Sequence, residues 1–157
     1  YYAYNDLDRF MVEKTGIENS LGLSLKGGRQ HYLRFKVPVT WRIWQEAAFE
    51  YDSTVGYADH EGFRCGTCHP FKPYDIENDR EIDILEFPLI TMDGTLRDYR
   101  ELSCDEGFNI IMSLAEKCRQ VKGTYTILWH NSLGGYYQDW TDLYKRFIDV
   151  LSKSKIG

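Results

Sequence analysis

The sequence has no lysine- or arginine-rich block that could follow a phosphate backbone; its 19 basic and 24 acidic residues are scattered and sum to a net charge of -5. Nucleic acid is therefore not an expected partner. No apolar run approaches the ~18 residues that cross a bilayer. The opening "YYAYNDLDRF" lacks the charged and apolar regions of a secretory signal. A soluble, cytoplasmic chain without a membrane span is the expectation. Cysteine is sparse: four residues, of which Cys104 and Cys118 have no close partner in sequence, do not make a disulfide scaffold, so reduced thiols are expected. There is no G-x-S-x-G elbow, G-x-G-x-x-G turn or P-loop, which leaves serine hydrolases and nucleotide enzymes without support.

What the chain has is the size of one domain, residues 1–157, with 15% aromatic residues that can fill a core or stack on sugar rings. It starts without methionine and close to a helix, which places the expected beginning of the protein upstream. Leu7, Phe10, Met11 and Lys14 at helical spacing behind Asn5 or Asp6 predict a short helix that Gly16 stops. "QHYLRF" reads as a strand, and Trp41, Ile43, Trp44 and Ala47 behind Pro38 and Thr40 as a helix. "YDSTVGYA" predicts a short strand, residues 56–80 a long loop, and "EIDILEFPLI" a strand that Pro88 breaks or confines to an edge. In the last third, Asp105 is the expected cap of a helix whose face is Phe108, Ile111, Leu114, Ala115 and Cys118. Gly123 leads into the strand "TYTILWH", and a helix is expected over 139–152. Alternating strands and helices predict an α/β protein with "DILEF" and "YTILW" in one mainly parallel sheet and active groups at the carboxyl ends of its strands.

The stretch "GFRCGTCHPF" has the C-x-x-C-H spacing of c-type haem attachment, but Gly66, Pro70 and Pro73 oppose the helical surroundings such a site needs, so no haem is expected. His60, Cys65, Cys68 and His69 could supply four zinc ligands, although a structural site normally has a second spaced pair. Two reduced cysteines packed as small hydrophobes is the third reading. His130 follows the apolar "YTILW" directly, with Asn131 beside it, and a parallel strand would deliver its imidazole to a catalytic rim. Asp52 in "EYDST" and His31 in "RQHYLRF" are weaker candidates of the same kind.

The succession "RQHYLRF", "YDSTVGYADHEGFRCGTCHPFKPYD", "DILEFPLITMDGTL" and "YTILWHN" resembles the carboxyl-terminal half of the polysaccharide deacetylase family, the NodB-homology or family-four carbohydrate esterases, in a divergent bacterial branch. The resemblance spans about residues 28–140. It implies part of a distorted β/α barrel in which a divalent metal, zinc or similar, activates water to remove acetyl groups from N-acetylated sugars. The family's arginine-led motif falls at Arg29 to His31, its aspartate motif at Asp52, and its Leu-x-His motif at Leu128 and His130, the general acid. The first two depart from the usual Pro-Tyr and Asp-Trp patterns. Arg64, Phe71 and Tyr74 are then expected on a substrate-side loop, with Leu128 and Asn131 also meeting the carbohydrate. The family's metal motifs lie upstream of the matched part, so no metal ligand can be named and the missing half of the barrel is an expected partner. The rival expectation is a non-catalytic half-barrel that binds glycan or a protein.

Overall fold

A computed structural model of the chain describes residues 2–131 and 137–153. Helix α1 (Leu7–Leu21) starts where the Asp6 carboxylate accepts the amide of Arg9 at 3.0 Å. It runs through Gly16 rather than ending there, because an interior glycine costs only about 1 kcal/mol. The stop is Gly22, left-handed at φ 66°, whose amide reaches the Glu18 carbonyl at 2.8 Å. Helix α2 (Val39–Glu46) buries Trp41, Ile43 and Trp44 as their spacing predicts. Helix α3 (Cys104–Gln120) is capped two residues earlier than expected, by Ser103 and not Asp105. The Ser103 hydroxyl accepts the Glu106 amide while the Glu106 carboxylate takes the Ser103 amide, so both orphan donors are satisfied. Its predicted face, Phe108, Ile111, Leu114, Ala115 and Cys118, is buried. Helix α4 (Gln138–Lys153) lies against it.

The strands are short. β1 (Gly27–Gly28), β2 (Tyr51–Asp52) and β5 (Leu85–Glu86) form one parallel ladder in the order β1-β2-β5. β6 (Leu89–Met92) and β7 (Thr126–Leu128) form a second parallel ladder, and β3 (Tyr74–Asp75) with β4 (Arg80–Glu81) an antiparallel pair inside the expected long loop. The protein is α/β with short parallel sheets; among the described residues these ladders are open and do not close into a barrel.

"QHYLRF" is not a strand: His31–Leu33 is a 3-10 turn with Tyr32 and Leu33 at φ 58° and 51°. The strand is the preceding glycine pair, because a Cβ on Gly27 would stand 2.3 Å from the Tyr51 carbonyl oxygen and only glycine permits that approach. "DILEF" and "YTILW" are also not in one ladder, since the first pairs with β2 and the second with β6. Phe87-Pro88 interrupts the run between β5 and β6, although the amides of Leu85, Phe87 and Leu89 bond in turn to the carbonyls of Glu50, Asp52 and Val55.

The core has three parts. Phe10, Trp41, Trp44, Phe49, Ile82 and Ile84 pack under α1 and α2. Leu96, Phe108, Ile111, Trp140, Leu143 and Phe147 join α3 and α4 to the face of β7. Cys68, Ile90, Leu114 and Cys118 seal the long loop onto α3. No helix among the described residues is long and apolar enough to cross a membrane.

Candidate active site

Because β6 and β7 run parallel, their carboxyl ends lie side by side: Met92 is in register with Leu128. The next residues, Asp93 on one strand and His130 two positions beyond the other, are thereby brought to the same rim. Asp93 is fully buried, and its Oδ1 stands 2.6 Å from Nδ1 of His130 while its Oδ2 accepts the His130 backbone amide at 3.1 Å. One carboxylate thus fixes the histidine by ring and by main chain. The Nδ1 proton donates to Asp93, which leaves Nε2 as the working nitrogen. The side chain is 46% exposed. Arg97, on the π-helical turn Thr95–Tyr99, lies 3.8 Å from Asp93 and forks onto Asp98 with two bonds of 2.7 Å.

His130 and Asp98 face a cleft of about 580 Å³ whose walls also include Arg29, His31, Tyr32, Tyr99 and Leu128. It sits beyond the carboxyl ends of β1, β6 and β7, where open α/β sheets place their ligands. Arg29 is held by its Nε donating to the Ser53 carbonyl at 2.7 Å. Beneath it, Asp52 and Glu86 are both fully buried. Glu86 accepts from the Trp41 indole at 2.9 Å and the Val55 amide at 3.1 Å; Asp52 Oδ1 accepts the Thr54 hydroxyl at 2.5 Å, and Asp52 Oδ2 meets no donor. Burial and then the neighbouring Glu86 push the Asp52 carboxyl well up, and burial pushes Glu86 up as well. The raised values favour one proton held on the Asp52 side of the Asp52–Glu86 pair, and the charge left on the pair acts on the nearby Arg29 guanidinium.

Of the residues singled out in the sequence, Arg29, His31, Leu128 and His130 meet at the cleft. Asp52 lies under its floor, supporting Arg29 rather than facing the cavity. Asn131 is exposed next to His130 and is not part of the walls. The expected substrate-side loop is elsewhere. Arg64 donates to the Gly56 carbonyl at 2.7 Å, Phe71 exchanges both backbone hydrogen bonds with Glu86, and the Tyr74 hydroxyl donates to Asp79. Asp93, Tyr32 and Tyr99 were not singled out from the sequence. The signal for Asp93 was present, an acid directly after the apolar run "FPLITM" and before Gly94.

A resident divalent metal requires several carboxylate or imidazole donors converging on one point. Among the described residues no three His, Cys, Asp or Glu side chains converge in this way. Asp93 is committed to His130 and Asp98 to Arg97, and in the proposed zinc set His60 bonds Asp59 and stacks on Tyr57. The donors described here do not by themselves compose a metal site. No family model, curated protein or solved structure matches the chain.

Proposed function

We propose that the cleft binds N-acetylated carbohydrate and that His130 is the general acid for removal of the acetyl group, on a fold that forms part of a deacetylase-like β/α barrel. The observation that carries this reading is the Asp93–His130 pair, buried on the aspartate side and open at Nε2, on the wall of a cleft large enough for a sugar unit. Attack of water on an acetamide carbonyl, the water giving up its protons to solvent, yields a tetrahedral adduct whose C–N bond breaks once the nitrogen is protonated. His130 donates that proton from Nε2, and acetate and the free amine leave; the imidazole then regains a proton from solvent. Asp93 keeps the ring oriented throughout. Arg29 offers guanidinium donors to the polar groups of the sugar. The divalent metal that the resemblance implies requires donors beyond those described, and the roles above belong to this chain's own side chains.

The test is acetate release from N-acetylated chito-oligosaccharides and peptidoglycan fragments by the protein and by His130→Ala. The expected result is a loss of about two to four powers of ten in rate with a thermal midpoint within a few degrees of the parent. Activity within about threefold of the parent removes His130 from the role of acid.

A second reading, glycan binding without turnover, is favoured by two aromatic rings on the cleft walls, Tyr32 at 73% and Tyr99 at 62% exposure, which suit stacking on a sugar face. Oligosaccharide binding that weakens in Tyr99→Ala, with no acetate released by the parent, selects it over the first.

A further inference from the structure

The C-x-x-C of the long loop separates into two different environments. Cys65 is half-buried, whereas Cys68 and Cys118 are 4% and 1% exposed in one small core with Ile90 and Leu114. Their main chains clasp one dipeptide: the Gly123 amide donates to the Cys118 carbonyl at 2.8 Å and the Thr124 amide to the Cys68 carbonyl at 2.9 Å. Both side chains lie in that core, with Cys68 close enough to act, after burial, on the titration of Cys118. Gly123 makes the room, since a Cβ there would stand 2.2 Å from the Cys68 sulfur. The pair the sequence suggests, Cys65 with Cys68, is thus not the pair the fold assembles.

We infer that Cys68 and Cys118 form a disulfide site, in which oxidation staples the loop carrying Cys68 to the last turn of α3, while Cys65 and Cys104 stay as thiols. A small-molecule disulfide such as oxidised glutathione is the oxidant. The Cys68 thiolate attacks it and releases one glutathione thiolate. The Cys118 thiolate then attacks the Cys68 sulfur of the mixed disulfide and releases the second. The protein loses two electrons and two protons, and two glutathione thiols result. Burial, with Cys68 alongside, pushes the Cys118 thiol up to about 12, so Cys118 stays protonated in the native state and exchange proceeds when the loop lifts from α3. The staple bears on the cleft, because the same loop carries Ala58, a wall residue whose carbonyl accepts the Thr95 hydroxyl at 2.8 Å.

The experiment uses the unaltered protein: equilibration with oxidised glutathione, alkylation of the remaining thiols, and non-reducing peptide mapping by mass spectrometry. The expected result is a Cys68–Cys118 linked peptide, with Cys65 and Cys104 alkylated and a thermal midpoint raised by roughly 10 °C, reversibly with dithiothreitol. Cys118→Ser should lose that reversible rise. A Cys65–Cys68 link, or four alkylated thiols after oxidation under native conditions and in mild urea, overturns the inference.

Discussion

The carboxylate of Asp93 holds His130 at two points, ring Nδ1 at 2.6 Å and backbone amide at 3.1 Å, across 37 residues of sequence. Asparagine cannot reproduce this, since it has one acceptor for two donors. In Asp93→Asn, either the His130 amide loses its partner or Nδ1 must become an acceptor and the ring proton moves to Nε2. Nitrogen NMR of the imidazole should show that tautomer change, and acetate release should fall by about two to four powers of ten. An unchanged ring spectrum shows that Asp93 does not set the tautomer.

Asp52 and Asp75 should respond to pH in opposite directions. The folded-state value of Asp52 lies above its ordinary 3.8, raised by burial and then by Glu86. The native state therefore binds the extra proton, and stability falls as pH rises from about 3.8 through the raised value. Asp52→Asn places an amide donor where the shared proton lies. Its midpoint should gain on the parent as pH rises from about 3.8 through the raised value and then level off; parallel profiles would mean that Asp52 ionises in the fold.

Asp75 is buried under a two-bonded Arg42 fork of 2.6 and 2.5 Å and also accepts from Asn78 and the amide of Glu77. The Arg42 hydrogen bonds pull its carboxyl far below 3.8. Here the stabilisation is complete above 3.8 and is lost as pH falls through the lowered value. Asp75→Asn should be less stable than the parent at neutral pH, and the gap should narrow on acidification in urea titrations between pH 5 and 2. A gap that stays constant excludes the ionised form as its source.

Gly123 and Cys68 should be coupled. Gly123→Ala forces a methyl into the Cys68 sulfur and should cost about 1–3 kcal/mol. Cys68→Ala removes that sulfur, leaving the new methyl 3.4 Å from the remaining Cβ, an ordinary contact. The double variant should be more stable than the sum of the single losses by at least about 1 kcal/mol in denaturant unfolding. Strict additivity means that the sulfur lies elsewhere.

The elements legible in the sequence are those whose cause is local. Helices α2, α3 and α4 follow from apolar spacing within a few turns, and the burial of Trp41, Trp44, Phe108 and Ile111 follows from the same period. His130 was visible because an apolar strand ends directly before it. A two-residue strand has no period, so Gly27–Gly28 is recognisable only by the Tyr51 backbone that lies against it. The chemistry of each carboxyl group was hidden for a related reason. Asp52 and Asp93 both follow or end a strand, yet one is packed on Glu86 and becomes an acid under the floor while the other meets His130 and becomes its anchor. The sequence by itself determined which segments would be helix, which apolar faces would be covered, and that a histidine stands at a strand end. Parallel pairing and packing of residues 34 to 50 positions apart decided which acid serves that histidine and which thiol faces Cys68, because those contacts are set by loop closure and register, and neither leaves a repeat in the chain.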